Sequence, residues 1–112
     1  TGIPFNGYAY QHIDAYLAAM KDIAGKTAGI RRPGAASLDI AYVASGRLDG
    51  FWETHLKAWD MAAGVLLLKE AGALVSDFQG GNSYMDSGNI VCAPQKVFKP
   101  LLQIVGKHMG KI

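Results

Sequence analysis

Glu53 and Asp60 are two acids whose surroundings could give them chemistry to do. In "DGFWETHLKAWDMAAGVLLLKEAGALV", Glu53 ends a short aromatic run, and Asp60 stands between the bulky Trp59 and an almost wholly apolar stretch. The bland roles are clear. An Asp at the start of a helix caps free N–H groups and complements the positive end of the dipole, and a Glu in a loop is solvated. A carboxylate fixed at a helix mouth is also a ligand for a hard divalent cation. In open α/β sheets, ligands gather outside the carboxyl ends of the strands. If the aromatic run is a strand and the apolar stretch a helix, the loop between them holds both carboxylates at one rim.

The elements that would position these acids are legible from periodicity. "TGIPF" reads as the end of a buried strand, followed by an Asn6-Gly7 break. "AYQHIDAYLAAMKDIAGK" puts Ile13, Tyr16, Leu17, Met20 and Ile23 on one helical face and closes at Gly25. Pro33-Gly34 forbids a helix start before about Ala35, after which Leu38, Ala41, Tyr42 and Ser45 recur at helical spacing up to Gly46. "LDGFWE" predicts a strand ending near Glu53, and a helix follows from about Trp59 to Glu70. Met61, Val65, Leu66, Leu67 and Leu68 cover more than one stripe of that helix, which places it in the middle of the domain, with Ala62, Ala63 and Gly64 allowing close approach. Gly72 is its natural left-handed terminator. "ALVSDF" and "GNIVCAP" predict two further strands, with a turn at Gln79-Gly80-Gly81, and "QKVFKPLLQIVGKHM" a last helix that Pro100 can kink. Helices alternating with short apolar strands imply an α/β domain, its sheet mostly parallel or mixed and covered by helices on both faces.

Bulk properties narrow the function classes. At 112 residues the chain forms one domain with a modest core. Half of it is hydrophobic and 18% charged, with a net charge of +2, so it has neither the charge excess of a disordered segment nor a basic footprint for nucleic acid. Asp60, Lys69 and Glu70 interrupt the longest apolar stretch, which argues against a membrane span. The single Cys92 rules out an internal disulfide and, in the apolar run "NIVCAP", reads as a buried, inert thiol suited to a reducing compartment. His12, His55 and His108 are scattered without metal-ligand spacing, which predicts structural or exposed roles. The chain opens without a Met or a signal peptide and reads as part of something longer.

"WDMAAGVLLLKEAGA" closely resembles the C-terminal signature of the inositol monophosphatase family: a Trp-Asp pair, small residues, an apolar helix and a Gly-rich end. "RRPGAASLDIAYVASGRLDGFWE", "VSDFQGGNSYMDSGNIVCA" and "TGIPF" are similar to the matching segments of bacterial members, so the resemblance covers nearly the whole chain. It implies that residues 1–112 form the C-terminal layered domain of the inositol monophosphatase fold. It further implies that Asp60 is the metal ligand supplied by that domain, that the metal is Mg²⁺, and that Glu53 hydrogen-bonds a hydroxyl of the cyclitol ring. By the same resemblance Gly34, Ala35 and Ala36 line the substrate pocket with backbone N–H groups, although spacing alone gives a plain helix entry. Arg31 and Arg32 look like the family's basic pair near the pocket and subunit interface; the residues alone give a surface pair.

The implied activity is Mg²⁺-dependent hydrolysis of inositol 1-phosphate by in-line attack of water, in a cytoplasmic homodimer. The nearest rivals within the fold are nucleotide 3′-phosphatases and sugar bisphosphatases. A role of another class is an interaction module in a transcription antitermination complex, as found for some bacterial relatives. The family's remaining metal ligands lie in an N-terminal half, in a Gly-Glu segment and an Asp-Pro-x-Asp-Gly-Thr motif. Neither occurs here, and "RLDGF" shares only the Asp-Gly pair. The chain by itself is therefore expected to be inactive and to bind Mg²⁺ weakly.

Overall fold

The computed structural model describes residues 1–4 and 7–112. Its elements are α1 (Gly7–Tyr10), α2 (Ile13–Ala24), α3 (Ala36–Ala44), β1 (Phe51–Glu53), α4 (Ala58–Glu70), β2 (Leu74–Ser76), α5 (Tyr84–Ser87), β3 (Ile90–Ala93) and α6 (Gln95–Met109). The expected helices and the three internal strands fall where periodicity and Gly/Pro punctuation put them. The expected N-terminal strand does not form: residues 1–4 join no ladder, and Phe5 and Asn6 lie outside the described residues. Thr1 instead braces β1, its hydroxyl donating to the Trp52 carbonyl at 2.7 Å and its backbone nitrogen to the Arg31 carbonyl at 3.1 Å.

The strands form one sheet in the order β1-β3-β2. Both pairings are antiparallel, with Phe51 opposite Cys92, Glu53 opposite Ile90, and Val75 opposite Cys92. This corrects the expectation of a mostly parallel or mixed sheet, since short apolar runs carry no information on strand direction. Because β3 lies between the other two and all four of its residues are buried, its continuous apolar run faces protein on both sides. Alternation sorts its residues. Ile90 and Cys92 join Phe51, Ile40, Val43, Met61, Val65 and Leu68 beneath α3 and α4. Val91 and Ala93 join Trp52, Tyr16, Ile23, Leu101, Val105 and Met109 beneath α2 and α6. The expected helix layers on both faces are present.

Helix α4 ends in a Schellman turn: Gly72, at φ 77°, donates to the Lys69 carbonyl, and Ala73 to that of Leu68. Its close approach to α3 depends on Gly64, where an added Cβ would lie 2.5 Å from Ile40 Cγ2. The outward faces differ from expectation. Only Met61, Gly64, Val65 and Leu68 of α4 are buried, while Trp59 is 78% and Leu66 61% exposed, so the helix covers the sheet and leaves an apolar side open. On α3 the buried residues are Asp39, Ile40 and Val43, and Leu38 is 52% exposed. On α2, Ala19 is buried and Leu17 half exposed. Helix α6 runs through Pro100 as one element. Among the described residues no helix is long and apolar enough to cross a membrane.

Candidate functional site

Strand alternation decides where Glu53 points. It follows Trp52, which faces α2 and α6, and pairs with Ile90, which faces α3 and α4, so its side chain emerges on the α3/α4 side of the sheet. Two more acids lie on that side, Asp39 on α3 and Asp60 on α4, and both act electrostatically on Glu53. Glu53 and Asp60, expected at one rim, are near enough to interact electrostatically.

The Glu53 carboxyl is packed against the backbone of Gly2, where a Cβ would lie 2.1 Å from Oε1, so a side chain at position 2 would displace that carboxyl. Burial is the main reason its pKa rises from 4.5 to about 7, and the charges of Asp39 and Asp60 push the same way. Arg32 opposes them. Near neutral pH the group therefore exists in both protonation states. A carboxylate only accepts hydrogen bonds, whereas the acid form also donates one. Glu53 can thus meet a hydroxyl in either sense.

Asp60 lies three positions beyond the cap. The helix starts at Ala58, with Lys57 as its N-cap residue, and Asp60 is the third helical residue. Its Oδ2 accepts the Lys57 N–H at 2.9 Å, while its own N–H donates to the Lys57 carbonyl at 2.9 Å. The back-bond satisfies one donor of the helix start and fixes the carboxylate. Oδ1 accepts no hydrogen bond from the described residues, which leaves one charged oxygen oriented and available to a hard cation.

The Gly34-Ala35-Ala36 segment forms the entry to α3. Gly34 has φ 88°, the left-handed region that glycine enters without strain, Ala35 is the N-cap residue, and no side chain caps the helix. Arg32 and Asp39, on either side of this turn, both act electrostatically on Glu53. Arg31 and Arg32 are both exposed.

Asp39 is the residue that sequence reasoning missed. It is 1% exposed, and neither carboxylate oxygen has a hydrogen-bond partner among the described residues. Burial raises its pKa, against Arg32. The signal was a single acid beside Ile40 and in step with Val43, hidden because α3 is apolar on several faces.

The loop from Glu53 to Asp60 is tied at several points. Thr54 is buried and donates to Asn89 Oδ1 at 2.6 Å, and the Leu56 N–H donates to the Gly88 carbonyl at 3.0 Å. Gly88, at φ 76°, lies so close that a Cβ would sit 2.4 Å from the Leu56 carbonyl oxygen. His55 Nδ1 is 2.8 Å from Thr54 Oγ1. Its ring stacks on that of His12, with centroids 5.6 Å apart.

Other groups stand apart from this rim. His108 joins Asp22 at 3.0 Å, linking α2 to α6, and Lys26 also pairs with Asp22. Cys92 is fully buried in the sheet, and burial pushes its thiol up to about 12, which matches the inert thiol expected. Among the described residues, no three His, Cys, Asp or Glu side chains come close enough to hold a metal. Asp60 fits as one ligand of such a site.

The chain is an α/β layered unit with three acids on one side of its sheet, and comparison with known proteins identifies the family. The chain belongs to the inositol monophosphatase family, whose model matches residues 8–109. It is 52% identical to the Nus factor SuhB of Pseudomonas aeruginosa over 109 residues, 97% of this chain and 40% of that protein. It is 51% identical to the inositol-1-monophosphatase of Rhizobium meliloti over 105 residues, 94% of this chain and 39% of that protein. The crystal structure of extragenic suppressor protein suhB from Bartonella henselae superposes with a TM-score of 0.88 at 40% identity, covering 96% of this chain and 40% of that one. The chain thus spans about 40% of the length of these relatives.

Proposed function

We propose that residues 1–112 are the C-terminal domain of a Mg²⁺-dependent phosphomonoesterase that hydrolyses inositol 1-phosphate to inositol and phosphate. The observation that carries this reading is the convergence of Glu53, Asp60 and the uncapped entry of α3 on one side of the sheet. Asp60, whose carboxylate the Lys57 N–H orients, would be one residue holding the metal. Bound Mg²⁺ supplies Lewis acidity at the phosphate and an acidified water. Glu53 orients a ring hydroxyl, accepting its proton in a hydrogen bond as carboxylate or donating one as acid. The N–H groups of Gly34, Ala35 and Ala36 face polar oxygens of the substrate. Glu53 also favours a polyol over a second phosphate, whose charge an ionised carboxyl repels.

The remaining ligands belong to the rest of the parent protein, and its N-terminal half would cover the open apolar side of α4. A cytoplasmic homodimer is part of the proposal. The test is a substrate panel on the full-length parent. Preference for inositol 1-phosphate supports the assignment, and preference for a nucleotide 3′-phosphate or a sugar bisphosphate replaces it with the rival activity.

A second reading is favoured by relatives that are named Nus factors: the parent also assembles with transcription factors. A pull-down with such factors, repeated with Asp60→Asn, separates the two. Binding kept while hydrolysis is lost shows independent functions.

A further inference from the structure

Beyond Glu53, the partnership of β1 with β3 holds its register for one more residue and then slips. Glu53 lies opposite Ile90, so the same register sets Thr54 opposite Asn89 and His55 opposite Gly88. The first of these pairs is joined through side chains: the Thr54 hydroxyl donates to Asn89 Oδ1 at 2.6 Å, and both residues are buried. The second pair is not joined. The Gly88 carbonyl takes the N–H of Leu56 instead, one residue further along, at 3.0 Å. His55 is therefore an extra residue on the β1 side, in the manner of a β-bulge, and at φ 61° it is the only non-glycine residue with positive φ among those described. A left-handed side-chain-bearing residue persists where its surroundings over-determine it, and the two bonds that bracket His55 do so. The β3 side of this clamp is itself fixed. Gly88 closes α5 with its N–H on the Tyr84 carbonyl at 2.9 Å, and the Asn89 N–H donates to Ser87 Oγ at 3.1 Å.

We propose that Thr54 and Asn89 are positioning residues: their buried hydrogen bond fixes the point at which β1 leaves the sheet, and through it the placing of Glu53 for the substrate's ring hydroxyl. This rests on the role given above to Glu53. Asp60 is anchored separately, in the first turn of α4 and on the Lys57 N–H. Loss of the Thr54–Asn89 bond therefore disturbs Glu53 and leaves the metal ligand in place, so substrate binding suffers while the chemical step does not. Each residue also has a contact of its own, Thr54 Oγ1 with His55 Nδ1 at 2.8 Å and Asn89 Nδ2 with the Ile112 carbonyl at 3.5 Å. The coupling between two substitutions, and neither substitution by itself, reports the bond the two residues share.

The experiment uses the full-length parent as wild type, Thr54→Val, Thr54→Ser, Asn89→Leu and the double variant Thr54→Val/Asn89→Leu. KM and kcat for inositol 1-phosphate are measured at saturating Mg²⁺, with thermal unfolding and exchange of the Leu56 amide followed on the same samples. Valine and leucine keep the shapes of the residues they replace and remove the donor and the acceptor; serine keeps the hydroxyl. Thr54→Val and Asn89→Leu should each raise KM about fivefold with kcat within about twofold of wild type, a split that a merely structural role would not give. Thr54→Ser should restore the wild-type KM. The double variant should also stand at about fivefold, because the bond is already lost in either single variant. Wild-type KM in folded Thr54→Val or Asn89→Leu overturns the proposal, as does a double variant at the product of the two effects, about 25-fold. If an orphaned donor or acceptor unfolds the single variants, the double variant, which removes both, carries the test: raised KM supports the proposal and wild-type KM overturns it. A wild-type parent that hydrolyses no inositol 1-phosphate refutes the functional assignment instead. Leu56 exchange in the double variant then decides the clamp alone: faster exchange than in the wild type supports it, and unchanged exchange overturns it.

Discussion

Replacing Glu53 by Gln removes a buried acid and keeps its shape, and the effect on stability follows from the pKa. The folded protein holds this carboxyl at about 7, against 4.5 when unperturbed. Between those values the folded state binds more protons than the unfolded one, so wild-type stability falls as pH rises from 4.5 to 7. The stabilising, protonated form is fully present below 4.5 and is lost as pH passes 7. A shift of this size corresponds to about 3 kcal/mol, which water at the partly exposed carboxyl reduces to roughly 1–2. Glu53→Gln should therefore match the wild type near pH 4.5 and exceed it by roughly that amount at pH 8. Urea unfolding of the 112-residue chain at both pH values measures the difference. Groups elsewhere, such as Asp22 and Asp77, titrate alike in the two proteins and cancel. An advantage of Gln that is no larger at pH 8 than at pH 4.5 refutes the reasoning, because it shows the Glu53 pKa to be unshifted by folding.

Asp77 supports the turn after β2 by accepting the N–H groups of Gln79 at 2.9 Å, Gly81 at 2.8 Å and Ser83 at 3.1 Å. Its burial raises the pKa, but those three bonds together lower it. Asp77→Ala should cost about 2–4 kcal/mol in denaturant unfolding, and the wild-type contribution should be present above the ordinary aspartate pKa and disappear in acid below it. Gly64→Ala drives a methyl into Ile40 and should cost about 1–3 kcal/mol, part of which a second substitution, Ile40→Ala, recovers in a double-mutant cycle. The 112-residue chain alone should turn over no inositol 1-phosphate, and calorimetry should find at most weak Mg²⁺ binding, since one or two carboxylates cannot replace the hydration shell Mg²⁺ gives up reluctantly.

Element positions were legible because apolar periodicity and glycine or proline punctuation act locally. Gly25, Pro33-Gly34 and Gly72 bound helices in the sequence and in the structure alike. Faces were less so. Helix α3 carries Ile40, Ala41, Tyr42 and Val43 in succession, so several stripes satisfy the periodicity, and only packing against Gly64 and β1 selects Ile40 and Val43. Strand order was not legible at all, because β3 is last in the chain yet pairs between β1 and β2. At the site, Glu53 and Asp60 stood out as acids at the ends of predicted elements. Asp39 did not, since its burial depends on tertiary neighbours. The strained loop at His55 carried no signal either, because the residue lacks the glycine or asparagine signature of a left-handed turn.

The central claim is that Asp60 is a metal ligand as well as a brace for α4. The most direct measurement is the Mg²⁺ dependence of inositol 1-phosphate hydrolysis by the full-length parent, compared between wild type and Asp60→Asn, with thermal unfolding recorded on the same samples. Asn keeps an oxygen for the Lys57 N–H, so stability should change by no more than a few tenths of a kcal/mol. Activity should fall by orders of magnitude or require far more metal. An Asp60→Asn enzyme with wild-type turnover at wild-type Mg²⁺ would contradict the account and leave Asp60 as a helix-end residue alone.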